Sequence, residues 1–288
     1  MIDRQARDLP LDAHVHTDLS PDSDVPIDDY AEAAVARGID EIAITDHVDF
    51  VPDTPAYRYT IFQQRERVVR EAAERWGERG LDIRFGVEIT WESRYAADIR
   101  DHLANHSYDF VIGSVHIYRD SPYATENIDR WIAGRTLPEI LAPYFDEVTA
   151  AARSGLFDAL GHIDFVKRWL TPRITPAQLA AAPELYEPIL VALVETGTAL
   201  EINTSGLRQE PKESYPAPQV VARFQELGGR AVTVGSDAHK VDSLAWGLED
   251  GYRAAAAAGF ETLAFRRGGD RVAVPLRVGP NALAGRSL

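Results

Sequence analysis

Six of the eight histidines in this 288-residue chain sit at or just past the ends of short apolar runs. They are His14, His16, His47, His116, His162 and His239. His14 and His16 are two residues apart, so in a strand both side chains leave the same face. Asp237 and His239 repeat that spacing. Glu88 closes the run IRFGVE, and Asp22 lies six residues past His16 in the turn TDLSPDSD. A cavity built from these nine residues offers imidazole and carboxylate donors and, in a chain without cysteine, no sulfur. That mix suits zinc, manganese or iron, whereas calcium and magnesium want mostly oxygen. One ion takes roughly four to six ligands, so nine donors suggest two or three ions. A lone strand-end histidine usually does no more than satisfy hydrogen bonds. Six of them with matching acids are poorly explained as independent accidents.

His102 and His106 read differently. They are four apart in DHLANH and would share a helix face, superficially like a zinc-protease motif. The glutamate that motif needs is absent, so both are expected on the outer surface.

The nine residues need elements that bring them together. The apolar runs LDAHVHT (11–17), EIAITDH (41–47), IRFGVEIT (83–90), FVIGSVH (110–116), ALGHIDF (159–165), ALEINTS (199–205) and RAVTVGSDAH (230–239) are short enough for buried parallel strands. Helical stretches over 27–37, 60–76, 138–154, 184–196, 216–227 and 250–258 alternate with them, most stopping at a glycine, and Thr60 is a candidate cap. FETLAF and RVAVPL suggest a terminal strand pair turning at Gly268 and Gly269. Strand and helix alternate about seven times, which predicts a parallel α/β sheet. Catalytic residue types end nearly every run, and barrels gather such residues at many strand ends. The expected fold is therefore a single-domain α/β barrel, a distorted (β/α)7 TIM-like barrel with its metal site at the C-terminal strand ends.

Composition narrows the partners. Forty-five acidic against thirty basic residues give a net charge of −15, which disfavours nucleic acid and anionic membranes. No run of 18 apolar residues exists, and the N-terminal MIDRQARDLP has no apolar signal core, so a cytoplasmic protein is expected. The tail after Gly285 is expected to be mobile.

The ordered set HVHTDLSPDS, ITDH, GVE, GSVH, GHIDFVKRW, EINTSGLR and GSDAH resembles the PHP (polymerase and histidinol phosphatase) superfamily, and is closest to its histidinol-phosphate phosphatase branch. The resemblance spans about residues 11–265. It implies a trinuclear centre of Zn, Mn or Fe. His14, His16, Glu88 and Asp237 would hold one ion. Glu88 would bridge to a second, held also by His116 and His162. His47, His239 and Asp22 would hold the third. Many members carry histidine where this chain has Asp22. The resemblance places the chemistry on Glu88, Asp237 and His239, with Arg208 and Arg168 (or Lys167) gripping phosphate.

Three divalent ions bring +6; three carboxylates and a hydroxide return −4, leaving about +2 in an acidic protein. Such a pocket draws a small phosphate dianion and the surroundings repel polyanions. The implied reaction is metal-assisted hydrolysis of a small phosphate monoester, with L-histidinol phosphate foremost. The alternatives are a PHP phosphoesterase for a nucleotide phosphate or phosphotyrosine, a barrel amide hydrolase, and a non-catalytic metal-binding barrel. Asp46 and Asp164 are candidates to orient the histidines. Trp91, Tyr118 and Trp169 are candidates to line the pocket.

Overall fold

A computed structural model describes residues 9–52 and 54–276, so the tail after Gly285 lies outside the described residues. Eight strands, β1 (Asp12–Val15), β2 (Glu41–Ile44), β3 (His47–Val48), β4 (Asp82–Thr90), β5 (Phe110–Ser114), β6 (Ala159–Leu160), β7 (Ala199–Asn203) and β8 (Val232–Gly235), form one parallel sheet. Seven run in the order β1-β2-β4-β5-β6-β7-β8, and β3 pairs with β4 beyond the end of β2. The sheet curls until its edges meet: Asp237 N donates to His14 O, and His16 N to Ala238 O, each at 2.9 Å. The result is the expected barrel, seven parallel strands and nearly closed.

The strands are buried along almost their whole length, as strands covered on both faces must be. Helices pack outside. The helix Ile27–Arg37 turns its buried Tyr30, Ala31 and Ala34 inward and stops at Gly38, whose left-handed backbone (φ 72°) lets its N–H reach the carbonyls of Ala34 and Val35. Thr60 is not a cap: the helix is Phe62–Gly77, and Thr60 Oγ1 donates to Leu19 O instead. The sequence runs overestimate strand length, in proportion most at β6, which has two residues. His47 belongs to β3, not to the end of β2. A terminal antiparallel hairpin, β9 (Thr262–Arg267) with β10 (Asp270–Pro275), covers the N-terminal strand ends. There the Phe265 ring packs tilted against Phe110 and Arg267 pairs with Glu41. Among the described residues no helix is long and apolar enough to cross a membrane.

Closure is tightest where β8 passes β1. A Cβ on Gly235 would lie 2.3 Å from His14 Cβ and 2.9 Å from Glu201 Oε1. Overpacking of this kind costs about 1–3 kcal/mol. Gly235→Ala is therefore expected to lower the melting temperature by several degrees, whereas Gly77→Ala, with nothing within 4 Å of its added methyl, lowers it not at all. Equal melting temperatures for the two variants would contradict this packing.

His102 and His106 are half-buried rather than on the outer surface. His102 sits near the end of the helix Ala96–Asn105, His106 just past it, and their rings lie 4.3 Å apart beside Phe50, Phe62 and Tyr108. Burial, with help from His106 and Arg65, pushes the His102 pKa down to about 4. The unfolded chain binds that proton near pH 6.5, so His102 withdraws stability as pH falls below 6.5 towards 4. An NMR titration of the His102 ring is expected to show a midpoint near 4; a midpoint at 6.5 would contradict the burial.

Candidate metal centre

The barrel delivers donors in a repeating way. His116, His162 and Asp237 each stand two residues beyond the end of their strand, and His16 one beyond β1. Glu88 sits inside β4 in register with His47 of β3. All nine donors predicted from the sequence converge at the C-terminal mouth. Glu88 is the hub. Its Oε2 lies 3.3 Å from both His14 Nε2 and His16 Nε2, and 3.2 Å from His47 Nδ1. Its Oε1 lies 2.9 Å from His162 Nε2 and 3.4 Å from His116 Nε2. Asp237 Oδ1 is 3.5 Å from His16 Nε2 and 3.4 Å from His239 Nδ1. At the mouth, Asp22 Oδ2 stands 3.2 Å from His47 Nε2 and 3.0 Å from His239 Nε2.

Three overlapping groups have the reach of a metal site: His14, His16 and Asp237; His47, Glu88 and His116; and His16, Asp22, His47 and His239. Within each, the donor atoms lie within 4.8 Å of one another. The donors fit cations. His14 Nε2 and His16 Nε2 face each other at 2.9 Å. Nδ1 of His16, His47 and His162 are buried without a hydrogen-bond partner. Buried polar atoms are ordinarily paired, so a knot of lone pairs around a carboxylate calls for positive charge. Depth differs among the groups: His14, His16 and Glu88 are fully buried, while Asp22 is exposed.

The backbone is strained at two of these positions. Asp237 (φ 54°) and His162 (φ 26°) lie in the left-handed region, at a cost of about 1–3 kcal/mol each. Arg208 braces the first: its guanidinium donates to Ser236 O at 2.8 Å and Asp237 O at 2.6 Å.

The residues that orient the imidazoles differ from those the sequence suggested. Asp46 accepts from Thr17 N and Oγ1, and Asp164 from Tyr186 and Lys167; neither hydrogen-bonds a histidine. The work falls to Glu201. Its Oε1 meets His14 Nδ1 at 2.6 Å, and its Oε2 accepts from His162 N at 2.9 Å and Asn203 Nδ2 at 3.1 Å. The signal was present: a glutamate inside the apolar strand ALEIN, two residues before Asn203, must face the barrel interior. His116 Nδ1 lies 2.9 Å from Thr90 Oγ1, which donates to Asp49, itself bonded by Tyr118.

Electrostatics keep the acids ionised. Burial would raise Glu88, but the imidazoles of His47, His14 and His116 hold it well below the carboxylate range. Burial acts the same way on Asp22, and hydrogen bonds from His239 and His47 outweigh it. Burial and the neighbouring His239 and His47 push His16 down to about 3, leaving its ring neutral. Burial would lower His14, His47, His162 and His239 too, but the neighbouring carboxylates raise all four above the usual imidazole range, so a cation binding there would displace protons.

A pocket of about 550 Å³ opens above Glu88, His116, His162 and Asp237, with Arg168, Arg208 and Trp169 on its wall. Lys167 is not on that wall. Its Nζ is buried between Asp164 (2.9 Å), Glu213 (2.8 Å) and the carbonyl of Ser214 (3.0 Å). Trp91 and Tyr118 line an adjoining cavity instead.

Comparisons with known proteins agree with this architecture. The PHP domain family matches residues 12–205. A protein of Deinococcus radiodurans named "Probable histidinol-phosphatase" is 30% identical over 258 residues, covering 88% of this chain and 96% of its own. The histidinol-phosphatase of Lactococcus lactis is 29% identical over 238 residues, 80% of this chain and 84% of its own. The crystal structure of histidinol phosphate phosphatase from Lactococcus lactis, complexed with zinc, L-histidinol and phosphate, superposes with a TM-score of 0.80 at 25% identity, covering 91% of this chain and 98% of that one. The chain belongs to the PHP domain family and is related to its histidinol-phosphatases.

Proposed function

We propose that this protein hydrolyses a small phosphate monoester, L-histidinol phosphate foremost, with three divalent Zn, Mn or Fe ions as cofactors. The observation that carries the reading is a buried Glu88 reached by five imidazoles, with two arginines on the wall above it. His14, His16, Glu88 and Asp237 would hold the first ion, Glu88, His116 and His162 the second, and Asp22, His47 and His239 the third. When bound, the ions supply Lewis acidity that offsets phosphoryl charge and acidifies water.

The chain's own residues do the rest. Glu201 adds a fourth carboxylate to the earlier sum, so the surplus falls from about +2 to about +1, and Arg208 and Arg168 restore attraction for a dianion. A guanidinium has five N–H donors. Two on Arg208 are committed to Ser236 and Asp237, which fixes the group while leaving the others for phosphate oxygens. Arg168 lies beside the Phe165 and Trp169 rings, at 5.8 and 5.5 Å. Those rings form one side of the pocket wall. Lys167, held by two carboxylates, has no part in the clamp.

The test is release of phosphate from L-histidinol phosphate by protein loaded with Zn, Mn or Fe, against a panel of nucleotide phosphates, phosphotyrosine and an aryl phosphate. Preference for L-histidinol phosphate supports the reading. Preference for another ester shifts the substrate, and inactivity on every ester contradicts a phosphatase.

A further inference from the structure

Two stretches of chain bring arginines to the wall of the metal pocket. The one after β6 carries Phe165, Arg168 and Trp169, and the one after β7 carries Arg208 and Gln209. β6 and β7 pair at Ala159 with Ala199 and at Leu160 with Leu200, before either stretch begins. The spacing of the two arginines is therefore set by side chains and not by the sheet.

Lys167 spans the gap between the stretches. Its side chain is 1% exposed. An ammonium has three N–H donors, and here they meet three acceptors. Asp164 Oδ2, in the same stretch, lies at 2.9 Å; Glu213 Oε1 and Ser214 O, in the other, lie at 2.8 and 3.0 Å. The Nζ also sits 5.1 Å from the centre of the Tyr215 ring. Asp164 is anchored in turn by Tyr186, whose hydroxyl donates to it at 2.9 Å. The tie reaches Arg208 through the packing of the second stretch. Asn203 and Tyr215 exchange backbone hydrogen bonds of 2.8 Å, which closes residues 203–215 into a loop. Inside it the two limbs touch: a Cβ on Gly206 would fall 2.1 Å from Glu213 O. The Tyr215 hydroxyl donates to Gln209 Oε1 at 2.9 Å. Holding Glu213 and Ser214 thus holds the limb that carries Arg208. Desolvation offsets much of the attraction in a buried ion pair, so such a pair is better suited to fixing position than to adding stability.

We propose that Lys167 is a positioning residue: by tying the loop of Arg208 to the turn of Arg168, it sets the distance between the two guanidinium groups without touching phosphate itself. The inference rests on the phosphatase reading and adds to it a residue that acts through the two arginines.

The experiment uses metal-loaded, full-length protein, an aryl phosphate as substrate and inorganic phosphate as a competing ligand. Replacing Lys167 would strand Asp164 as a buried charge, so the tie is cut at Glu213, whose side chain is 25% exposed. Glu213→Ala is expected to raise KM and to weaken phosphate binding by ~10-fold, with kcat within about twofold and metal content unchanged, because a loosened clamp holds ground state and transition state less well alike. Glu213→Gln still offers an oxygen to Lys167 and is expected to recover most of that loss. Glu210→Ala, at an exposed acid of the same loop, is expected to change neither quantity. A merely structural tie would lower the melting temperature and leave KM and phosphate binding alone. Unchanged KM and phosphate binding in Glu213→Ala, or an equal loss in Glu213→Gln, overturns the positioning role and leaves the phosphatase reading standing. A wild type that releases no phosphate overturns both.

Discussion

Glu88→Ala is expected to reduce phosphate release by about a thousandfold or more, because Glu88 is the carboxylate that touches imidazoles of all three donor groups. Two carboxylate oxygens contact five imidazoles within 3.4 Å. Removing them leaves those rings crowded together with Asp237, Asp22 and Glu201 as the acids they still meet. Metal content is expected to fall together with activity, which separates loss of ligands from loss of a purely chemical group. The fold should persist, since Glu88 contributes no apolar packing and β4 keeps its pairing with β2 and β5. Wild-type turnover with a full metal complement would remove Glu88 from the centre.

Glu201→Gln should have the next largest effect, although Glu201 is outside the nine donors. Its Oε1 and the His14 ring nitrogen approach to 2.6 Å, and this charge is what makes the opposite nitrogen of His14 a strong donor. Loss of such a partner typically weakens metal binding 10–100-fold. Glutamine still offers an oxygen to His162 N, so the variant is expected to fold. Glu201→Ala would also leave that buried N–H unpaired, a further cost of about 1–3 kcal/mol. Competition with a metal chelator measures the first effect and thermal unfolding the second. A Glu201→Gln protein that retains metal as tightly as the wild type would contradict the orienting role.

The barrel was legible because strand and helix signals alternate, and because residue types able to do chemistry end nearly every apolar run. Short parallel strands such as β6 were harder to bound: ALGHIDF keeps apolar residues on both sides of its histidine, but the chain leaves the sheet after Leu160 to place His162 in a left-handed turn. The candidate donors, which the structure brings together at one mouth, stood out as residue types at strand ends. Their partners were not, since sequence proximity says little about who touches whom across a barrel. Asp46 and Asp164 adjoin histidines in the chain but serve Thr17 and Lys167. Glu201 reaches His14 from 187 residues away. Lys167 and Arg168 are equally basic neighbours on one short helix. Only the turn geometry buries the first among carboxylates and leaves the second on the pocket wall.

The most direct test is anomalous diffraction from crystals grown with zinc. Three peaks are expected around Glu88: one among His14, His16 and Asp237, one beside His116 and His162, and one between Asp22, His47 and His239. Peaks elsewhere, or none within bonding distance of Glu88, would contradict the assignment of this centre.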